Sequence, residues 1–76
     1  MLGLGFTKVT DAGLAHLEGL TSLRTLDLWK TAITDAGLPH LKGLTRLQTL
    51  ELVGTKVKDA GVARLQAALP KTTINR

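Results

Sequence analysis

Residues 7–30 read TKVTDAGLAHLEGLTSLRTLDLWK, and residues 31–54 read TAITDAGLPHLKGLTRLQTLELVG, with fifteen of the 24 positions identical. A third copy begins at Thr55 with TKVKDAGVARLQ and departs from the pattern after Gln66. Self-similarity at a fixed period of this length is typical of solenoids, in which each unit buries its apolar face against the next. The repeat therefore predicts a single domain over residues 1–76. Its units are a partial unit 1–6, two full units 7–30 and 31–54, and a C-terminal capping unit 55–76.

Each unit contains a strand pattern, because leucines two residues apart lie on one face of an extended chain. The predicted inward positions are Leu2, Leu4, Leu26, Leu28, Leu50, Leu52 and Ile74. The alternate positions then point outward, namely Gly3, Gly5, Thr25, Asp27, Trp29, Thr49, Glu51, Val53, Thr73 and Asn75.

A short helix is expected after each of the first three strands, since apolar residues there recur at helical spacing. The predicted helices cover residues 11–18, 35–42 and 59–68. Thr10 and Thr34 are the predicted N-caps, and an aspartate in each first turn meets the positive end of the helix dipole. Gly19 and Gly43 follow the last periodic residues and are expected to end their helices in the left-handed conformation.

These motifs resemble those of a known family. The pattern LxxLxLxxTxIT in residues 23–34, repeated with Val57 and Lys58 at its end in residues 47–58, resembles the leucine-rich repeat. The continuation TDxGLxxL is similar to the ribonuclease-inhibitor-like and F-box-associated, cysteine-containing sub-class. The resemblance covers essentially the whole chain. It implies an α/β fold: a right-handed βα superhelix arc with parallel strands on the concave face and short helices on the convex face.

The chain departs from that family at one position per unit. Thr7, Thr31 and Thr55 stand where the family usually has Asn or Cys. The threonine hydroxyls are expected to accept hydrogen bonds from backbone amides that leave the strand, and to join into a ladder between stacked units.

Composition narrows the class of function. The chain has ten Lys and Arg against six Asp and Glu, two aromatic residues and no cysteine. Few aromatics and scattered basic residues argue against nucleic acid as a partner. No apolar stretch approaches the length of a membrane span, and no signal-peptide core is recognisable, so a membrane partner is not expected. The lack of cysteine slightly favours the cytoplasm.

The outward strand face is the usual binding surface of this architecture. The predicted partner-binding residues are Thr25, Asp27, Trp29, Thr49, Glu51 and Val53. Trp29 is the only tryptophan, and tryptophan is enriched among interface hot spots. Lateral packing of Trp29 over Val53 is the alternative interpretation. The sequence therefore predicts a non-catalytic module that binds a protein or peptide.

No constellation of residues predicts an enzyme, a metal site or a cofactor. Asp27 and Glu51 align on neighbouring strands, but an open surface favours two solvated carboxylates that attract cationic partners. His16 and His40 are one repeat apart, and Arg64 replaces them in the third copy. The glycines of the TDAG motif are explained by a close approach of helix and strand, since no phosphate-loop motif accompanies them.

The two ends of the repeat differ. Pro70 is expected to stop the last helix before a β-prone segment at residues 72–75 with a polar end. At the other end, Leu2, Leu4 and Phe6 are expected to form an uncapped apolar edge strand, and such edges pair with other chains. The alternative hypothesis is therefore a terminal fragment of a longer repeat array, or a homo-oligomer that associates through this edge.

Overall fold

The computed structural model describes residues 2–3 and 9–76, and it shows a mixed α/β chain with one parallel sheet. The strands, in their spatial order, are β1 (Leu2–Gly3), β2 (Thr25–Asp27), β3 (Thr49–Glu51) and β4 (Thr73–Asn75). Leu2 lies opposite Leu26, Leu26 opposite Leu50, and Leu50 opposite Ile74. The sequence period is therefore also the pairing register of the sheet, as predicted. Leu4 and Gly5 lie outside the described residues.

Three helical segments connect the strands. They are α1 (Asp11–Leu14), which continues as a 3₁₀ turn over Ala15–Leu17, a 3₁₀ helix over Asp35–Leu41, and α2 (Asp59–Ala68). The prediction for α2 is confirmed, but the first two segments end one residue earlier than predicted and are wholly or partly 3₁₀. In the second segment Pro39 lacks the N–H that an α-helix would direct at the carbonyl of Asp35, which favours bonds to the third residue back.

Leucines from the strands and the helical segments meet in one core. Within residues 9–76, the large apolar side chains with at most 2% exposure are Leu14, Leu26, Leu28, Ile33, Leu38, Leu41, Leu44, Leu47, Leu50, Leu52 and Leu65. Burial of each leucine contributes about 1.5–3 kcal/mol relative to exposure. The inward assignment of Leu26, Leu28, Leu50 and Leu52 is confirmed.

The return turns after the first two helical segments are not left-handed, so the prediction for Gly19 and Gly43 is wrong. Among the described residues, positive φ occurs at Lys30 (55°) and Gly54 (78°), just after β2 and β3. The helices instead continue into further turns, with the amide of Leu20 donating to Leu17 and that of Leu44 to Leu41. Because the chain continues through these turns without positive φ, no left-handed glycine is needed at the end of either helical segment.

The hydroxyls of Thr31 and Thr55 donate hydrogen bonds, which corrects the expected role of these threonines. Thr31 Oγ1 donates to the carbonyl of Leu28 at 2.8 Å, and Thr55 Oγ1 to the carbonyl of Leu52 at 2.6 Å. In each case the backbone amide of the same threonine donates to the same carbonyl. Both donors therefore close a turn inside their own unit, and the two threonines do not form a ladder. Thr7 lies outside the described residues.

Two of the three first-turn aspartates, Asp11 and Asp35, link neighbouring units. Asp11 accepts from the backbone amide of Thr34 at 2.7 Å and from its hydroxyl, and Asp35 accepts from the amide of Lys58 at 2.6 Å. We call these contacts aspartate bridges. Thr34 also caps its helix, because its Oγ1 accepts from the amide of Ala36 at 3.3 Å. Thr10 occupies the predicted N-cap position, but its hydroxyl makes no capping hydrogen bond.

Gly37 and Gly61 make room for these bridges. A Cβ on Gly37 would lie 2.9 Å from Leu14 Cδ1 and closer still to Asp11 Oδ1. A Cβ on Gly61 would lie 2.5 Å from Asp35 Oδ1 and 2.8 Å from Asp35 Oδ2. The expectation of a close helix–strand approach is therefore wrong, because the close approach joins one helix to the aspartate of the preceding helix.

The C-terminal unit ends as predicted, with α2 stopping before Pro70 and β4 completing the sheet. Gln66 Nε2 donates to the carbonyls of Leu69 (2.9 Å) and Thr72 (2.8 Å), which fixes the turn around the proline. The buried Thr72 hydroxyl donates to the carbonyl of Leu47 at 2.7 Å. These bonds attach the last strand to the unit before it.

Candidate functional site

The candidate site is the outward face of β2, β3 and β4. Thr25 lies opposite Thr49, and Asp27 lies opposite Glu51. The pairing continues past the strand ends, because Lys30 N donates to the Val53 carbonyl at 2.9 Å. The structure therefore brings together all six residues that the sequence predicted for this face.

Trp29 and Val53 form the apolar part of this face. Their exposures are 38% and 40%, while Leu28 and Leu52 beside them in the chain are buried. The Trp29 amide donates to Asp27 Oδ1 at 2.9 Å, which fixes the backbone that presents the indole. A large apolar side chain held on an ordered backbone loses little conformational freedom on binding.

Lys30 covers part of the indole. Its Nζ lies 5.2 Å from the centroid of the Trp29 ring, within the range of a cation–π contact. A Cβ on Gly54 would lie 2.7 Å from Lys30 Cγ, so glycine at position 54 leaves room for the lysine side chain. The alternative interpretation of Trp29 was lateral packing over Val53, whereas the structure places Lys30 over the ring.

The polar part of the face is a row formed by Asp27, Glu51 and Asn75. Glu51 lies opposite Asn75, and Asn75 Nδ2 donates to Glu51 Oε1 at 2.7 Å. Asp27 is held by the Trp29 amide. Both carboxylates are half-buried, and each has lone pairs left for a donor on a partner.

The two histidines do not form a site together. His40 Nδ1 lies 2.8 Å from Glu18 Oε1 on the preceding helical segment, and His16 is exposed. Within residues 9–76, no three His, Cys, Asp or Glu side chains are grouped closely enough to hold a metal ion. The contact between Glu18 and His40 was missed from the sequence, although positions 18 and 40 each vary in charge between repeats.

The candidate self-association edge is described only at Leu2 and Gly3, which form β1 at one side of the sheet. Leu4 and Phe6 lie outside the described residues. None of the helices in the described part of the chain has the length and apolarity needed to cross a membrane.

No protein-family model matches this chain, and no curated protein matches it significantly.

Proposed function

We propose that the chain is a leucine-rich-repeat solenoid and acts as a non-catalytic binding module for a protein or peptide. The parallel pairing of strands one repeat apart supports the architecture. The observation that carries the function is the exposed apolar pair Trp29 and Val53, which lie just past the ends of the adjacent strands β2 and β3, where Lys30 N donates to the Val53 carbonyl.

This pair is unusual within the molecule. In residues 9–76 the third exposed large apolar side chain is Leu20, which lies in a return turn away from the sheet. Tryptophan at the centre of a polar surround is a frequent hot spot of protein interfaces. Here the surround is supplied by the half-buried carboxylates of Asp27 and Glu51.

The chemistry of the face defines the partner. An aliphatic or aromatic side chain would pack against Trp29 and Val53, and an Arg or Lys close to it would donate to Asp27 or Glu51. The partner is therefore a peptide segment in which an apolar residue neighbours a basic one.

Selection from a random peptide library on the 76-residue chain tests this function. We expect the selected peptides to contain an apolar residue beside Arg or Lys. Because Trp29 is the only tryptophan, its fluorescence reports binding of a selected peptide directly. Trp29→Ala should weaken the affinity for that peptide by about thirty-fold, the effect of a hot spot, as measured by calorimetry.

Leu20→Ala is the matched control, since it removes an equally exposed apolar side chain from outside the face. It should bind the peptide as the wild type does. Equal affinity of Trp29→Ala and wild type for every selected peptide would overturn the proposed function.

The position of β1 favours a second candidate, self-association through the N-terminal edge. Leu2–Gly3 pairs with β2 on one side and is the first strand in the sheet order. Sedimentation velocity should then show a dimer that Gly3→Lys weakens, because a charge on an edge strand opposes pairing. A monomer at all concentrations would exclude this candidate.

A further inference from the structure

The two junctions between helical segments differ at equivalent positions. In the first junction, between α1 and the 3₁₀ helix, Glu18 lies 2.8 Å from His40. One repeat later, between the 3₁₀ helix and α2, the same two positions hold Lys42 and Arg64. An acid–base contact is thus replaced by two basic side chains.

Lys42 and Arg64 line a cleft between the 3₁₀ helix and α2, which we call the helix cleft. It encloses about 50 Å³. Leu38 and Leu65 form an apolar floor, with exposures of 2% and 1%, and Pro39 forms one side. A volume of this size holds roughly three to five water-sized groups. The cleft therefore fits the end of one side chain.

No carboxylate in residues 9–76 forms an ion pair with either of these cations, although Asp35 lies on the cleft wall. The ion pairs in that part of the chain join His40 to Glu18 and Arg76 to Asp59. The charge around the cleft is mainly positive, because residues 35–76 contain seven Lys and Arg against three Asp and Glu. A cleft with an excess of positive charge attracts negative groups.

We propose that the helix cleft binds the carboxylate of a Glu side chain in an acidic peptide. The side-chain methylenes would pack on Leu38 and Leu65, and the carboxylate would lie between the Lys42 ammonium and the Arg64 guanidinium. Arginine presents paired donors that match a carboxylate, and lysine adds a second charge.

Asp35 on the cleft wall selects this ligand over phosphate. Its Oδ1 accepts from the Lys58 amide, so the carboxylate is held in place close to the incoming anion. Repulsion from a fixed negative charge is greater for a phosphate, with a charge near −2, than for a carboxylate. The cleft lies on the helices and does not use the strand face, so this inference is independent of the proposed function.

NMR titration of the 76-residue chain with acetyl-ALELA-amide tests the proposal. Saturable shifts are expected at the amides of residues 38–42 and 61–65. The neutral peptide acetyl-ALQLA-amide should bind at least about ten-fold more weakly, since it lacks the charge.

Three variants separate the cleft from general electrostatics. Lys42→Glu should weaken binding of the acidic peptide at least about ten-fold, because it places a carboxylate beside Arg64. The second junction would then resemble the first, in which Glu18 lies beside His40. Arg46→Glu makes the same charge change on an exposed return turn and should alter affinity by less than about two-fold. Trp29→Ala should leave binding unchanged, whether or not the strand face binds its own partner.

Several results would overturn the proposal. They are shifts centred on the strand face, equal losses for Lys42→Glu and Arg46→Glu, and equal binding of the two peptides. Tighter binding of inorganic phosphate or of a single-stranded oligothymidylate than of the acidic peptide would also reject it, in favour of a phosphate ligand.

Discussion

The first and second helical junctions share one contact and differ in another. Both contain an aspartate bridge, from Asp11 to Thr34 and from Asp35 to Lys58, above a glycine that admits it. At their surface, one junction has an acid–base contact and the other has two cations. The aspartate bridge is the same in both junctions because it sets the spacing of the units. The surface pair is free to differ, so it is a position at which binding specificity can arise without cost to the fold.

The largest effect is expected from closing the space under the bridge. Gly37→Ala places a Cβ within 2.9 Å of Leu14 Cδ1 and against Asp11, and should destabilise the chain by about 1–3 kcal/mol in urea unfolding. Gly13→Ala is the matched control, because its nearest neighbour would be Val9 at 3.7 Å. It should be neutral or stabilising by up to about 1 kcal/mol through helix propensity.

The clash at Gly37 can be separated from a general effect of alanine. Combined with Asp11→Ala, the Gly37→Ala change should cost less than it does alone, since one clashing group is gone. Strict additivity of the two changes, or equal effects of Gly37→Ala and Gly13→Ala, would show that the bridge does not set the spacing.

The next largest loss of stability is expected when each aspartate bridge is removed in turn, which compares the two bridges directly. Asp11→Ala removes the acceptor for both the amide and the hydroxyl of Thr34, and should cost about 1–3 kcal/mol. Asp35→Ala removes the acceptor for one amide and should cost less. Asp59→Ala, at the exposed equivalent position, should change stability little. Urea midpoints at constant m-value measure this order, and a larger loss at Asp59 than at Asp11 would reverse it.

Much of this fold can be predicted from the sequence, because the period fixes the register and the leucine spacing fixes the inward face. The aspartate bridges could not be predicted, since each joins residues 23 positions apart. The donor is a backbone amide, which nearly every residue type has, so the sequence carries no signal for it. The left-handed residues were misplaced because Lys30 carries no local signal for positive φ. The strand face was predictable because inward and outward residues alternate along a strand. The helix cleft was not, because it becomes visible only once the structure shows that Glu18 contacts His40 and the equivalent residues one repeat later, Lys42 and Arg64, are compared with that pair.

A smaller effect is expected at the equivalent left-handed positions. Gly54→Ala should cost about 1 kcal/mol, because φ is 78° and the new Cβ would meet Lys30. It should also alter Trp29 fluorescence as Lys30 is displaced from the ring. Lys30→Gly should cost little or stabilise the chain, since it relieves a positive φ of 55°. An unchanged emission spectrum in Gly54→Ala would contradict the contact between Lys30 and Trp29.

The smallest effect is expected at the surface pairs. A double-mutant cycle on Glu18 and His40 should give a coupling of about 0–1 kcal/mol, as for other exposed pairs. Lys42→Glu should raise stability by a few tenths of a kcal/mol at most, because it converts two like charges into an opposite pair. A loss of stability in Lys42→Glu would mean that the second junction needs its cations for folding.

Native-state hydrogen exchange at the two bridged amides tests the central claim most directly. The amide of Thr34 donates to Asp11, and the amide of Lys58 donates to Asp35. The aspartate bridges predict strong protection at both amides, fast exchange at Thr34 in Asp11→Ala and fast exchange at Lys58 in Asp35→Ala. Unchanged exchange rates at these amides in both variants would contradict the claim that the bridges hold the units together.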